Sequence, residues 1–86
     1  MYKEKILEMG GFYKEEFIRY FNNIGGATED NTTFKGPYWQ VVVGEEKWTK
    51  IGALTLCHIT VTIKAEEDIF EEFLKKFRFN FLKAGG

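Results

Sequence analysis

Cys57 and His58 are adjacent in the sequence and have the residue types of a nucleophile and its general base. They lie in a run with the alternation of a β-strand, which sends neighbouring side chains to opposite faces, so the two cannot form a catalytic pair. Cys57 is in phase with Ile59 and Val61, which predicts a position in the core. His58 shares the other face with Thr60, and we expect both to be available to a partner or ligand.

The other side chains that could do chemistry do not form a recognisable site. A zinc site needs about four ligands, whereas the sequence has one Cys and one His, so we expect no metal. The glycines after Met9 lack the spacing of phosphate-binding loops. Three groups of neighbouring carboxylates lie at predicted turns or at a helix start, where acids are common: Glu29-Asp30, Glu45-Glu46 and Glu66–Asp68. We expect a protein that is not an enzyme and uses no cofactor.

Aromatic residues on predicted neighbouring strands offer a different kind of surface. Tyr38, Trp39 and Trp48 could together form a platform for a ring or a partner side chain. Alternatively, some of them fill the core beneath the helices, as bulky aromatics usually do. Both interpretations stay open, and Tyr38 and Trp39 join His58 and Thr60 as candidate partner-binding or ligand-binding residues.

The sequence ends in Gly85-Gly86. Ubiquitin-like sulfur carriers end in this pair because a slim tail can enter an ATP-dependent activating enzyme, which adenylates the terminal carboxylate. Glycine after a last-turn lysine is also a common helix stop, and only Ala84 separates Lys83 from the pair. The two glycines are therefore either a helix end or a functional tail.

The elements that must position these residues follow from hydrophobic periodicity. Tyr2–Met9 predicts a first strand, and apolar residues at helical spacing predict a helix from Tyr13 to Ile24 that ends at Gly25-Gly26. Residues 27–35 could be a short edge strand or a loop. A second amphipathic helix is predicted over residues 66–83, and the spacing of Asp68 and Glu71 suggests a capping box at its start.

Between the helices the sequence is rich in β-formers. Tyr38–Val43 predicts a strand that closes in a hairpin turn at Gly44-Glu45-Glu46, with Lys47–Ile51 returning. Gly52 then marks a bend or bulge before the clearest strand, Ala53–Lys64. The fold class is α+β, with an antiparallel sheet, two helices on one face and the order β-α-β(4)-α, or one strand fewer if residues 27–35 form a loop. The other sheet face is left to solvent, a ligand or a second copy.

Length and charge limit the classes of function. The 86 residues suffice for a single domain, residues 1–86. Twelve basic against thirteen acidic residues give a net charge of −1, so no nucleic-acid partner is expected. No apolar run approaches the roughly 20 residues of a membrane span. A lone cysteine fits a reducing compartment, which predicts a cytoplasmic protein.

Several segments together resemble a known family: Phe17…Tyr20-Phe21…Gly25-Gly26, Gly36-Pro37-Tyr38-Trp39, Gly52-Ala53-Leu54 and Phe73…Phe77…Phe81-Leu82…Gly85-Gly86. They look like the C-terminal domain of MoaD-related proteins, which follows a ubiquitin-like domain similar to the small, sulfur-carrying subunit of molybdopterin synthase. The resemblance implies a fold similar to one repeat of the TATA-binding protein. The ubiquitin-like domain is not among these residues. The resemblance thus implies an accessory role in molybdenum- or tungsten-pterin biology rather than direct sulfur donation.

Three functional hypotheses follow. The first is a non-enzymatic interaction domain that meets a protein partner, such as a cofactor-biosynthesis enzyme, through Tyr38, Trp39 and His58. The second is a sulfur-carrier-like protein that acts through Gly86. The third is a small-ligand binder that uses the curved sheet as a half-cup. A homodimer through the free sheet face is compatible with all three.

Overall fold

Two helices and five strands make up the fold in the computed structural model, which describes residues 1–82. In chain order they are β1 (Tyr2–Gly10), α1 (Lys14–Asn23), β2 (Thr33–Gly36), β3 (Trp39–Val43), β4 (Lys47–Ile51), β5 (Leu54–Glu66) and α2 (Glu67–Asn80). The predicted order β-α-β(4)-α and the α+β class are confirmed. The stretch left open over residues 27–35 contains the short strand β2.

The long strand β5 organises the sheet. On one side it pairs antiparallel with β1, from Tyr2 opposite Glu66 to Gly10 opposite His58. On its other side it pairs first with β4 and then with β3, and β2 lies beyond β3. The part of β5 that includes residues 58–65 is therefore central, whereas residues 54–57 have a strand on one side alone among residues 1–82.

The hairpin turn and the bulge have exchanged the positions predicted for them. β3 and β4 do not pair with each other, because both run along the same side of β5. The turn is Gly52-Ala53, which joins Ile51 directly to its partner Leu54, and the positive φ of Gly52, 59°, at the first central position fits a type II′ turn. Gly44–Glu46 is instead a bulge, where three residues oppose two of β5. The N–H of Gly44 still donates to the Thr60 carbonyl, at 2.8 Å.

The two helices are bounded in different ways. α1 ends as predicted, with Gly25 at a φ of 94° and two backbone bonds that close a Schellman motif, from Gly26 N–H to the Phe21 carbonyl and from Gly25 N–H to that of Asn22. The capping box predicted at Asp68 is wrong, because α2 begins at Glu67, directly after β5. The Met1 carbonyl accepts a hydrogen bond from the Glu67 N–H instead, at 3.0 Å.

Aromatic rings fill the space between the sheet and the helices. Phe21 of α1 stacks on Phe77 of α2 at a centroid distance of 5.6 Å, and Phe17 stacks on Phe81 at 4.6 Å. These rings cover the face of β5 that carries its buried alternate residues, Cys57, Ile59, Val61, Ile63 and Ala65. Burial of such large apolar side chains supplies most of the driving force for folding.

Two glycines make room for one indole. A Cβ on Gly36 would overlap the Trp39 ring, and a Cβ on Gly26 would lie 2.7 Å from the same ring and from the Phe21 carbonyl oxygen. Trp39 fills that space and packs against Phe73 at a centroid distance of 5.1 Å. The sequence segments that carry the family resemblance, Gly25-Gly26 and Gly36–Trp39, are thus parts of one packing arrangement.

Candidate functional site

Trp39 does not lie on the free face of the sheet. It is 6% exposed and faces the helices, opposite Ala65 of β5, so its proposed contact with a partner is corrected to a core position. Trp48 is opposite Cys57, about 26 Å further along β5 at 3.3 Å per residue. The aromatic platform of Tyr38, Trp39 and Trp48 therefore does not form, because Trp48 lies at the opposite end of β5 from the other two and Trp39 is buried beneath the helices.

Tyr38 is an exposed aromatic held in an unusual backbone conformation. Its side chain is 67% exposed and its φ is 67°, a left-handed conformation that is a genuine outlier for a bulky residue. With Pro37 before it, Tyr38 occupies the third position of a turn with type II features, where Gly or Asn is usual. Residues in such conformations cluster at functional sites, because the strain persists only where it is compensated.

The backbone around Tyr38 ties three parts of the chain together. Its carbonyl accepts a hydrogen bond from the Glu66 N–H at 2.9 Å, and a Glu66 carboxylate oxygen lies 2.7 Å from the Met1 ammonium. That hydrogen bond and the negative charge of Glu66 raise the pKa of the Met1 amino group. Tyr2, which is half-exposed, is the cross-strand partner of Glu66. We call Met1, Tyr2 and Tyr38 the Tyr38 corner.

His58 and Thr60 both lie on the free face, as the alternation predicts. His58 Nε2 is 3.1 Å from the Thr49 hydroxyl, and the Thr60 hydroxyl donates to a Glu8 carboxylate oxygen at 2.5 Å. Each side chain therefore has a cross-strand partner that would compete with a ligand. His58 is also about 26 Å along β5 from the Tyr38 corner, which lies at Glu66. The structure does not bring the four candidate residues into one site.

The rest of the free face is largely polar. Lys64 and Glu4 form an ion pair at 3.7 Å, and both flank a shallow depression of about 230 Å³ that also includes Val42 and Thr62. Val42 and Ile6 contribute isolated apolar contacts at this level of the sheet. A solvated antiparallel face has this mixture of side chains.

Cys57 occupies the predicted core position. It is 6% exposed, and burial, reinforced by the negative charge of Glu46, raises the pKa of its thiol. A raised pKa lowers the fraction of thiolate, which is the reactive form. Within residues 1–82, no group of three His, Cys, Asp or Glu side chains is arranged to hold a metal ion.

The sequence patterns did not predict that the hairpin of β4 and β5 projects beyond the helices. We call residues 47–56 the arm: all ten are exposed, and among them Trp48, Ile51, Leu54 and Leu56 keep 42–65% of their surface accessible. The arm carries Lys47 and Lys50, and the sequence has no acidic residue between Glu46 and Glu66. The two-residue spacing Ile51-Gly52-Ala53-Leu54 is the signal that could have identified it, since Gly at the first turn position favours a tight hairpin.

The interior does not offer the half-cup of the third hypothesis. Rings of both helices occupy the covered side of the sheet, with neighbouring centroids 4.6–6.1 Å apart. A larger open depression, about 440 Å³, lies elsewhere, along the polar loop from Ala27 to Lys35. In the described part of the chain, neither helix is long and apolar enough to cross a membrane.

The Gly85-Gly86 tail lies outside the described residues, which end at Leu82. Phe81, at the end of α2, is buried against Phe12 at a centroid distance of 5.2 Å, and the next residue, Leu82, is 70% exposed. Four residues follow Leu82. Among residues 1–82, the side chain of Phe81 is thus the last one buried in the core.

Comparison with known protein families identifies one relationship. The model of a family described as archaeal MoaD-like protein matches residues 5–86. The chain belongs to this family. A search of curated proteins gives no match. Membership in the archaeal MoaD-like family confirms the resemblance found in the sequence, and the match includes Tyr38, the arm and both terminal glycines.

Proposed function

We propose that this chain is a non-enzymatic, partner-binding protein of molybdopterin-type cofactor biosynthesis. The observation that carries the proposal is the match of residues 5–86 to the archaeal MoaD-like family. A protein partner also suits the net charge of −1, since nucleic-acid binding depends on excess positive charge. The expected partner is an enzyme of that pathway, such as the catalytic subunit of a molybdopterin synthase.

We assign the partner-binding surface to the Tyr38 corner. The Tyr38 ring is two-thirds exposed, so packing within the domain does not compensate for its left-handed backbone. Glycine would fit this φ without strain, whereas tyrosine provides a large, amphipathic contact surface of the type enriched in protein interfaces. Met1 and Tyr2 are also exposed and lie at the same end of the sheet, on the other side of β5. A partner that covers the Tyr38 ring would compensate for the strain.

Titration calorimetry with the purified synthase subunit tests both parts of the proposal. We expect the wild type to bind and Tyr38→Gly to bind at least tenfold more weakly, because the ring is removed while the turn becomes less strained. Tyr38→Phe keeps the ring and should bind nearly as well as the wild type. Phe79→Ala is the matched control, since Phe79 is a similarly exposed aromatic on the outer side of α2.

The outcomes separate the pathway from the surface. Absence of binding to the synthase subunit and to the other enzymes of the same pathway would reject the cofactor link. Equal binding of the wild type and Tyr38→Gly would retain the link and reject the Tyr38 corner. Loss of binding in Phe79→Ala alone would place the surface on α2.

A second candidate is a sulfur-carrier-like role for the tail. It is favoured by the extension of the family match through Gly85-Gly86. The reaction requires a free Gly86 carboxylate: ATP adenylates it with release of pyrophosphate, and sulfide (HS⁻) from the donor then displaces AMP to leave a thiocarboxylate. Mass spectrometry after incubation with an activating enzyme, ATP and a sulfur donor should show one oxygen replaced by sulfur. A variant without Gly85 and Gly86 is the control and should remain unmodified. If the full chain also shows no change in mass, this role is rejected.

A further inference from the structure

The outer edge of the arm is an unpaired strand edge. β4 pairs with β5 on one side, and within residues 1–82 no strand lies along its other side. All five β4 residues are exposed. Open edges of this kind are templates for pairing with a further strand, and proteins commonly protect them with charges, bulges or covering elements.

The geometry of the hairpin determines which backbone groups face outward. In a hairpin with a two-residue loop, Ile51 and Leu54 exchange hydrogen bonds, so the next pair in the same register, Lys50 and Thr55, directs its N–H and C=O groups away from the ladder. The same alternation makes Trp48 and Cys57 an outward-facing pair. The Cys57 carbonyl agrees with this alternation: it points away from β4 and accepts a hydrogen bond from the Gly11 N–H at 3.0 Å.

A second copy of the chain complements the β4 edge. Antiparallel pairing about a two-fold axis at Trp48 places Trp48 opposite its counterpart in the second copy and Lys50 opposite Glu46 of that copy. Lys47 then faces Thr49, so no like charges are directly opposed. One Glu46 oxygen accepts the Lys14 N–H at 2.9 Å, and its other carboxylate oxygen makes no hydrogen bond or ion pair within residues 1–82.

The other long edge of the sheet lacks this self-complementarity. β1 alternates basic and acidic residues, and two copies paired about Ile6 would place Glu4 opposite Glu8. A register centred on Lys5 would bring two lysines together. Like charges directly opposite destabilise a strand pair, so both of these registers of the β1 edge are disfavoured.

We propose that two copies of this chain associate through their β4 edges to form a two-fold dimer with a continuous antiparallel sheet across the arms. Residues 46–50 of each copy pair in this register, so the interface is smaller than the roughly 1,200 Å² of stable complexes and the dimer is reversible. The interface lies at the opposite end of β5 from Tyr38, so a dimer leaves both Tyr38 corners accessible. The assignment does not depend on the proposed cofactor link.

Sedimentation velocity on the full chain over a concentration series tests the dimer. The wild type should shift from 10.1 kDa toward twice that mass as concentration rises. Lys50→Pro removes an outward N–H at an edge position where proline is tolerated, so it should fold and remain monomeric at every concentration. Lys50→Arg keeps the donor and the charge and should dimerise like the wild type. A monomeric wild type, or a Lys50→Pro variant that dimerises equally, would overturn the proposal.

Disulfide trapping tests the register and does not depend on a proline variant. Residues directly opposite in a hydrogen-bonded antiparallel pair have Cα atoms about 5.5 Å apart, within the range of a disulfide. Trp48→Cys should therefore form a covalent dimer under mild oxidation. Thr55→Cys, exposed on the opposite edge of the arm, should not. Preferential linkage through Thr55→Cys would place the contact on that edge and contradict the β4 assignment.

Discussion

The two parts of β5 obey the same alternation and yet have different surroundings. From Cys57 to Ala65 every second side chain is buried beneath the helices, and the residues between them face solvent. From Leu54 to Leu56 the alternation continues, but every residue is exposed, because α1 and α2 do not extend over the arm. Period-2 patterning therefore determines which side chains share a face, whereas burial depends on what covers that face.

The largest expected effect on stability comes from a substitution that creates a cavity in the part of β5 beneath the helices. Ile63 is fully buried, so Ile63→Ala should lower the free energy of unfolding by about 2–5 kcal/mol through lost apolar burial and an incompletely filled space. Urea unfolding measures the change. Thr62→Ala, one residue away on the free face, is the control and should cost far less. Equal losses would mean that the helices do not distinguish the two faces.

A second substitution tests how tightly the covered half is packed. Gly36→Ala would place a methyl group in the volume of the Trp39 indole, and we expect a loss of about 1–3 kcal/mol from overpacking. The change should appear in urea unfolding and in tryptophan fluorescence. Gly10→Ala is the matched control, because its Cβ would meet nothing closer than the Cys57 carbonyl oxygen at 4.0 Å. A tolerated Gly36→Ala would show that the indole can move.

Tyr38 differs from both parts of β5, because it carries strain in its backbone. Tyr38→Gly should stabilise the fold by about 1 kcal/mol or less, because glycine adopts a left-handed φ without the penalty of a Cβ but loses more entropy on folding. Thermal unfolding measures the gain. Tyr38→Ala retains the Cβ and should show no comparable gain. A destabilised Tyr38→Gly would mean that the ring supports the fold rather than a partner.

The loop before β2 depends on hydrogen bonds instead of packing. Backbone N–H groups of Thr33 and Thr32 donate to the Asp30 carboxylate and lower its pKa from the ordinary value of 3.8. The stabilisation is therefore complete above that value and is lost as pH falls through the lower pKa of the folded state. Asp30→Ala should be less stable than the wild type at neutral pH, and the difference should disappear in acid. The same difference in Glu29→Ala, at the adjacent exposed carboxylate, would point to net charge instead.

The smallest effect is expected in the arm. Leu54 is 65% exposed, so Leu54→Ala should change the free energy of unfolding by less than about 0.5 kcal/mol at low protein concentration, although it lies on the same strand as Ile63. Urea unfolding of dilute protein makes the comparison. A loss approaching that of Ile63→Ala would show that the arm is covered in the isolated monomer.

Much of the fold could be predicted from residue patterns, for identifiable reasons. The apolar face of α1 and the phase of Cys57 follow from local periodicity, which tertiary contacts preserve here. The end of β5, predicted at Lys64, could not be inferred in this way. β5 continues to Glu66 because that residue pairs with Tyr2, at the other end of the chain.

The candidate site was less predictable, because similar residues have different neighbours. Trp39 and Trp48 both lie in β-rich segments, but Trp39 is buried beside Phe73, whereas Trp48 is half-exposed beside Tyr13. Alternation does not indicate where the helices end above the sheet. The strain at Tyr38 is also a property of the folded turn, since Pro37-Tyr38 is compatible with unstrained turns as well.

The pairing of β1 with β5 also has a consequence for synthesis on the ribosome. β1 is synthesised well before its partner β5, and the pair from Tyr2 to Glu66 cannot form until translation has added 64 further residues. At 5–20 residues per second, this delay is roughly 3–13 s. During that time the alternating lysines and glutamates of β1 keep the nascent segment hydrated and discourage association between chains on neighbouring ribosomes.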